Sequence, residues 1–156
     1  MQVLFIIMMM LISGVSSSSE YKYYSAEGPS MSPTIVSKDR LTVDSTYYNE
    51  HIIERGDIIV FTDSINGSDF VKRVVGLSED TVKITDNKLY VNGVIQEEKY
   101  TQSEITMTNQ DSPETTVPVN SVFVLGDNRS DSLDSRIIGS INIDNILGKV
   151  IKVRHP

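Results

Sequence analysis

Apolar and polar positions follow two regimes along this chain. From Val3 to Val15 apolar residues are almost uninterrupted through Ile12, then give way at Ser13, Gly14 and the serine tract Ser16–Ser19. As a helix this run spans roughly 20 Å, short of the roughly 30 Å hydrocarbon core of a bilayer, which suits a signal-like segment or a short anchor. It lacks the 3.6-residue polar face of a surface helix, and no Lys or Arg precedes it to set an orientation. Glu20 to Ser30, with Tyr21, Lys22, Tyr23 and Tyr24, reads as a linker whose tyrosines suit a membrane interface.

Beyond Pro33 the pattern changes to short β-rich bursts separated by turn formers. These predict strands over Arg40–Val43, Asp57–Phe61, Phe70–Val75, Thr81–Thr85, Leu89–Val91, Val122–Leu125, Ile137–Ile141 and Gly148–Val153. Val82 and Ile84 share one face, and Leu89 and Val91 share one on the next strand. With Asp86, Asn87 and Lys88 between them the two runs form a hairpin, and Asn92-Gly93 marks a further tight turn. The stretch from Thr101 to Asn120 is polar, holds Pro113 and Pro118, and reads as a long excursion from the sheet. No amphipathic helix follows Ser30, so the expected fold class is all-β, with a short apolar helix at the N-terminus. The division is residues 1–19 as anchor or signal-like segment and 20–156 as the folded domain.

Composition narrows the chemistry. A chain of 156 residues, 39% hydrophobic and 22% charged, has room for one domain and is too apolar to be disordered. It contains no cysteine, which excludes thiol nucleophiles, disulfides and thiolate metal sites. The net charge of -7 argues against nucleic acid as a partner. His51 and His155 have no clustered carboxylates at ligand spacing, so no metal or other cofactor is expected.

Three polar segments could carry chemistry. Ser30 lies between Gly28 and Pro33 in a stiff loop able to present a hydroxyl, although serines beside Gly and Pro are mostly turn formers. Lys72 sits inside the β-branched run Phe70–Val75, where alternation sends it to the side of Phe70 and Val74 and sends Arg73 to the other. Apolar surroundings lower a lysine pKa and fit it to act as a base, whereas a strand-edge lysine keeps its head in water. The third segment, Leu125 to Arg136, is too dense in charges and hydroxyls for a simple hairpin turn, and Asp134 and Arg136 are spaced to pair.

Taken in order, these segments resemble the type I signal peptidases, serine proteases with a Ser-Lys dyad. The resemblance rests on Ser30-Met31 with Pro33-Thr34, the strand Arg55 to Phe61, the lysine segment extended through Leu77 and Asp80-Thr81-Val82, and Gly126-Asp127-Asn128 followed by Ser132 and Asp134-Ser135-Arg136. It spans about Gly28 to Val153 and implies coiled antiparallel β-sheets. It also implies Ser30 as nucleophile, Lys72 as general base and Ser132 as the hydroxyl that orients the lysine amine. The Ser30 backbone N–H would meet the oxyanion; some relatives add a hydroxyl two positions earlier, where this chain has Gly28. Met31 would line the pocket for the small side chain before the cleaved bond. Asp127, Asp134 and Arg136 would be structural, with Asp134 and Arg136 pairing to hold the last segment against the lysine strand. The implied partners are signal peptides of exported preproteins and membrane lipid, with the catalytic domain on the extracytoplasmic side of the membrane.

Two other readings compete. A catalytically idle relative could serve as an assembly factor or chaperone for surface proteins, but Ser30, Lys72 and Ser132 together speak against it. A self-cleaving repressor would use a similar dyad, but the chain begins with an apolar run instead of DNA-binding helices. The run could itself be removed after Ser17, since Val15 and Ser17 suit the small-residue rule.

Overall fold

The computed structural model describes residues 19–101 and 111–156. The apolar run and its expected helix lie outside these residues, as does the centre of the polar excursion. The strands in chain order are β1 (Tyr21–Ser25), β2 (Arg40–Asp44), β3 (Ile58–Thr62), β4 (Asp69–Gly76), β5 (Thr81–Thr85), β6 (Lys88–Val91), β7 (Val94–Ile95), β8 (Ser112–Thr116), β9 (Ser121–Leu125), β10 (Ile141–Asn142) and β11 (Ile146–Arg154). They form a seven-stranded antiparallel sheet ordered β1-β2-β11-β3-β4-β9-β10 and a four-stranded one ordered β7-β6-β5-β8. Among the described residues no helix is long and apolar enough to cross a membrane.

Curvature of the large sheet comes from β11. Its first half pairs with β3 and its second half with β2, with register shifts between Ile146 and Gly148 and between Val150 and Lys152. Bulges of this kind bend a strand and increase its twist. At the first of them, a Cβ on Gly148 would fall 2.4 Å from the Asp44 carbonyl oxygen, so only glycine lets β2 approach there. The centre of the small sheet, β5 with β6, is the hairpin expected from the alternation. Asp86 and Asn87, at φ 50° and 60°, make the two-residue turn, and Val82, Ile84, Leu89 and Val91 are buried against Phe123 and Leu125.

Three expectations are corrected. Tyr21–Ser25 is an edge strand, paired from Tyr21 opposite Asp44 to Ser25 opposite Arg40. Exposure of most of its residues erased the alternation that would have marked it. Ile137–Ile141 is not one strand: Ser135–Ile138 is a single helical turn, α1, whose first N–H groups face Asp134, and only Ile141–Asn142 pairs with β9. A carboxylate cap overrides the β preference of the two isoleucines. Within the polar excursion, Ser112–Thr116 is β8, an edge strand on which Pro113 is tolerated because it leaves no central ladder bond unmade.

Candidate active site

Ser30 lies in a loop between β1 and β2 that is held from both ends. Ala26 N–H donates to the Asp39 carbonyl at 2.8 Å, Lys38 N–H returns a bond to Ala26 at 2.8 Å, and Ile35 N–H donates to Met31 at 2.9 Å. Met31 and Ile35 anchor the loop in a core with Leu41, Val43 and Val60. Ser30 is thereby presented half-buried at a groove of about 500 Å³. Among the described residues nothing accepts its backbone N–H, which leaves that donor available to a developing oxyanion.

The second wall is β4. Alternation turns Lys72 inward with Phe70 and Val74, and the lysine is only 2% exposed. Its Nζ donates to Ser30 Oγ at 2.8 Å and to the Val71 carbonyl at 2.9 Å, and lies 5.4 Å from the centre of the Phe70 ring. Burial pulls its pKa down to about 8, while the Asp134 and Asp127 carboxylates work in the opposite direction. About a tenth of the amine is therefore neutral at pH 7 and about half at pH 8, far more than for an ordinary lysine, in contact with the hydroxyl it would deprotonate.

Leu125 to Arg136 completes the enclosure. Asp134 is fully buried and accepts from Gly126 N–H at 2.9 Å, from Ser132 Oγ at 2.7 Å and from Arg136 Nε at 2.8 Å. Burial works to raise its pKa, but the Arg136 guanidinium and these donors outweigh it and hold the carboxyl below its ordinary range. The Ser132 hydroxyl thus serves Asp134, whereas the partners of Lys72 Nζ are Ser30 and Val71; the expected Ser132 to lysine bond is replaced. The Asp134–Arg136 pair exists, but it folds this segment on itself, since Arg136 Nη2 also donates to the Arg129 carbonyl at 3.0 Å.

Asp127 makes the link to the lysine strand that the sequence assigned to Asp134 and Arg136. Arg73 donates to both of its oxygens, Nε at 2.8 Å and Nη2 at 2.7 Å, and Thr34 Oγ1 donates from the Ser30 loop. One buried carboxylate so ties together three segments. Asn128 adds a second tie, its N–H donating to the Ser30 carbonyl at 3.0 Å. Gly126 makes room for all of this, because a Cβ there would lie 2.2 Å from Ser132 Oγ and 2.5 Å from the Ser30 carbonyl oxygen.

Ala26, Leu41, Val60, Phe70 and Leu133 give the groove apolar walls beside Ser30 and Lys72. Met31 does not face it: at 2% exposed it lies beneath, packed with Leu41 and Val60, which do. Neither histidine faces the groove, His51 stacking on Tyr47 and His155 bonding Asp39 at 2.9 Å. Sequence reasoning named Arg73 and Gly126 but gave neither a role at the site. Strand alternation marked Arg73 as outward, but its partner lies 54 positions away.

Comparison with known proteins agrees with this geometry. The family model described as signal peptidase, peptidase S26, matches residues 1–154. Signal peptidase I U of Bacillus subtilis (strain 168) is 39% identical over 145 residues, covering 87% of this chain and 76% of the relative. Signal peptidase IB of Staphylococcus aureus (strain COL) is 34% identical over 142 residues, covering 81% and 74%. The crystal structure of a signal peptidase I from Enterococcus faecalis V583 superposes with a TM-score of 0.57 at 33% identity, over 64% of this chain and 97% of that one. With the matching fold and a family match that runs nearly end to end, the chain belongs to the signal peptidase family, peptidase S26.

Proposed function

We propose that this serine endopeptidase removes N-terminal signal peptides from exported preproteins with Ser30 as nucleophile and Lys72 as general base. One observation carries the assignment: the Lys72 amine, 2% exposed and with its pKa pulled to about 8, lies 2.8 Å from the Ser30 hydroxyl, and both residues line the same groove. In its neutral form the amine takes the Ser30 proton as Oγ bonds to the scissile carbonyl carbon. The Ser30 N–H donates to the oxyanion, and the lysine ammonium then protonates the departing amine as the peptide bond breaks. Water enters, gives its proton to Lys72 and releases the signal peptide as a free acid, which restores the Ser30 hydroxyl. Ser132 acts one step removed, by holding Asp134 beside the lysine. Met31 shapes the groove from below through Leu41 and Val60.

In this reading residues 20–156 are the catalytic domain, working on the extracytoplasmic side of a membrane, and residues 1–19 attach it to lipid. The deciding experiment incubates the detergent-solubilised chain with a preprotein beside its Ser30→Ala variant. Cleavage by the first and none by the second supports the dyad. Equal cleavage overturns it, and no cleavage by the wild-type chain favours the idle assembly factor. The mass of the mature protein tests the attachment: a retained Met1 supports an anchor, and a start near Ser18 makes the run a removed signal.

A further inference from the structure

After β7 the chain leaves the small sheet and crosses to the large one, bringing two side chains against the frame of the dyad. Glu98, its side chain 9% exposed, receives both arms of the Arg129 guanidinium, itself 7% exposed: Nη1 donates to Oε2 at 3.1 Å and Nη2 to Oε1. Tyr100 Oη donates to the same carboxylate at 2.8 Å, and the Tyr100 ring lies 3.9 Å from the Arg73 guanidinium carbon. The Thr101 hydroxyl, bonded to the Glu98 carbonyl at 3.0 Å, closes the turn.

The two arginines touched from this one segment each hold a different part of the frame around the dyad. Arg73 follows Lys72 on β4 and holds Asp127. Arg129 donates from Nε to the Gly126 carbonyl at 3.0 Å, and Gly126 is the residue packed against Ser30 and Ser132. A buried ion pair adds little net stability, because desolvation offsets the attraction, and what it contributes is a defined geometry. A stacked aromatic likewise holds a guanidinium in one plane and shields its partner from water.

We propose that Glu98 and Tyr100 are positioning residues for signal-peptide cleavage, holding Arg129 and Arg73 so that Gly126 and Lys72 stay in register with Ser30. The assignment rests on Ser30 and Lys72 being the dyad. Neither residue lines the groove. Their effect reaches the chemistry through the Lys72 to Ser30 distance and through the Asp127 carboxylate, which Arg73 holds and which acts on the lysine amine.

The test compares wild type, Ser30→Ala, Tyr100→Leu, Tyr100→Phe and Glu98→Gln on one preprotein in detergent, with folding followed by circular dichroism and thermal melts. Tyr100→Leu removes the cover over Arg73 and is expected to lower kcat about tenfold with KM within about twofold, the signature of lost positioning. The midpoint of its pH profile should also rise from near 8 toward the ordinary lysine value, because an Asp127 less firmly held by Arg73 acts more strongly on the Lys72 amine. Tyr100→Phe keeps the ring over Arg73 and should restore most of kcat and the midpoint. Glu98→Gln removes the counter-charge of a buried arginine and can fail to fold, so the Tyr100 series decides. A folded Tyr100→Leu with wild-type kcat and midpoint overturns the proposal, and so does a kcat that falls only with the folded fraction while the midpoint stays. Failure of the dyad itself shows separately, as cleavage by Ser30→Ala, and takes the proposal with it.

Discussion

Lys72 is held where its chemistry and its stability pull apart. Burial lowers its pKa to about 8, so the cleavage rate should rise with pH through a midpoint near that value. A pH-rate profile with its midpoint near 10.5 would show a solvated lysine that is not the base. The same shift bears on folding. Between about pH 8 and 10.5 the unfolded chain binds the extra proton, so stability rises with pH across that window and the full penalty is present below it. That penalty is on the order of 3 kcal/mol for a shift of this size. Lys72→Met, similar in length and uncharged, is therefore expected to be inactive yet at least as stable as wild type at pH 7. Its advantage should shrink by pH 10.5, as read from paired thermal melts. A lower melting temperature at pH 7 would mean that the hydrogen bonds to Ser30 and Val71 outweigh the desolvation.

Ser132 and Gly126 separate a lost hydrogen bond from a lost fit. Ser132→Ala removes one donor from Asp134, which keeps Gly126 and Arg136, so the rate should fall about tenfold or less. Gly126→Ala drives a methyl group into the Ser30 carbonyl and the Ser132 side chain, and should abolish cleavage while costing about 1 to 3 kcal/mol of stability. Steady-state rates and urea midpoints for the two variants would check this order, and a more damaging Ser132→Ala would contradict it.

Among the elements, β4 matters most because its two faces do different work. Lys72 points to Ser30, and Arg73, on the other face, grips Asp127. Arg73→Met leaves Asp127 buried with Thr34 as its remaining side-chain donor, and breaking such a pair costs about 3 to 5 kcal/mol. Urea unfolding would measure the loss, and a change below about 1 kcal/mol would show that water had replaced the guanidinium. Elements were legible in the sequence where burial is one-sided and regular, as in the hairpin of Val82, Ile84, Leu89 and Val91. They were obscure where pairing to a neighbour replaces burial, as in β1 and β8, and where one side chain imposes the local structure, as Asp134 does on α1. Ser30 and Lys72 could be found because family resemblance marks them. The Asp127 junction could not, because its three arms meet only in the folded sheet.

At the scale of the whole molecule, the described fold begins at its first strand. Glu20 is fixed there by Thr46 Oγ1, which accepts from its N–H at 3.2 Å, and by Ser45, which donates to its carbonyl. Deletion of residues 1–19 spares these contacts. The shortened chain is expected to stay soluble without detergent, to keep its melting temperature within a few degrees, and to cut short signal-like peptides. The proposed attachment through residues 1–19 predicts that it cuts bilayer-held preproteins more slowly than the full chain, since attachment raises the local enzyme concentration. Unfolding of the shortened chain would place residues 1–19 inside the cooperative unit.

The Asp127 junction also governs when this protease becomes dangerous. It joins Thr34 and Arg73 across separations of 93 and 54 residues, so it closes only after distant parts of the chain have met. Until then Lys72 is wet, keeps its proton at neutral pH and cannot activate a hydroxyl. A nascent or half-folded copy is chemically inert toward its neighbours, including other copies of itself, and proteolytic power arrives as a property of the finished fold.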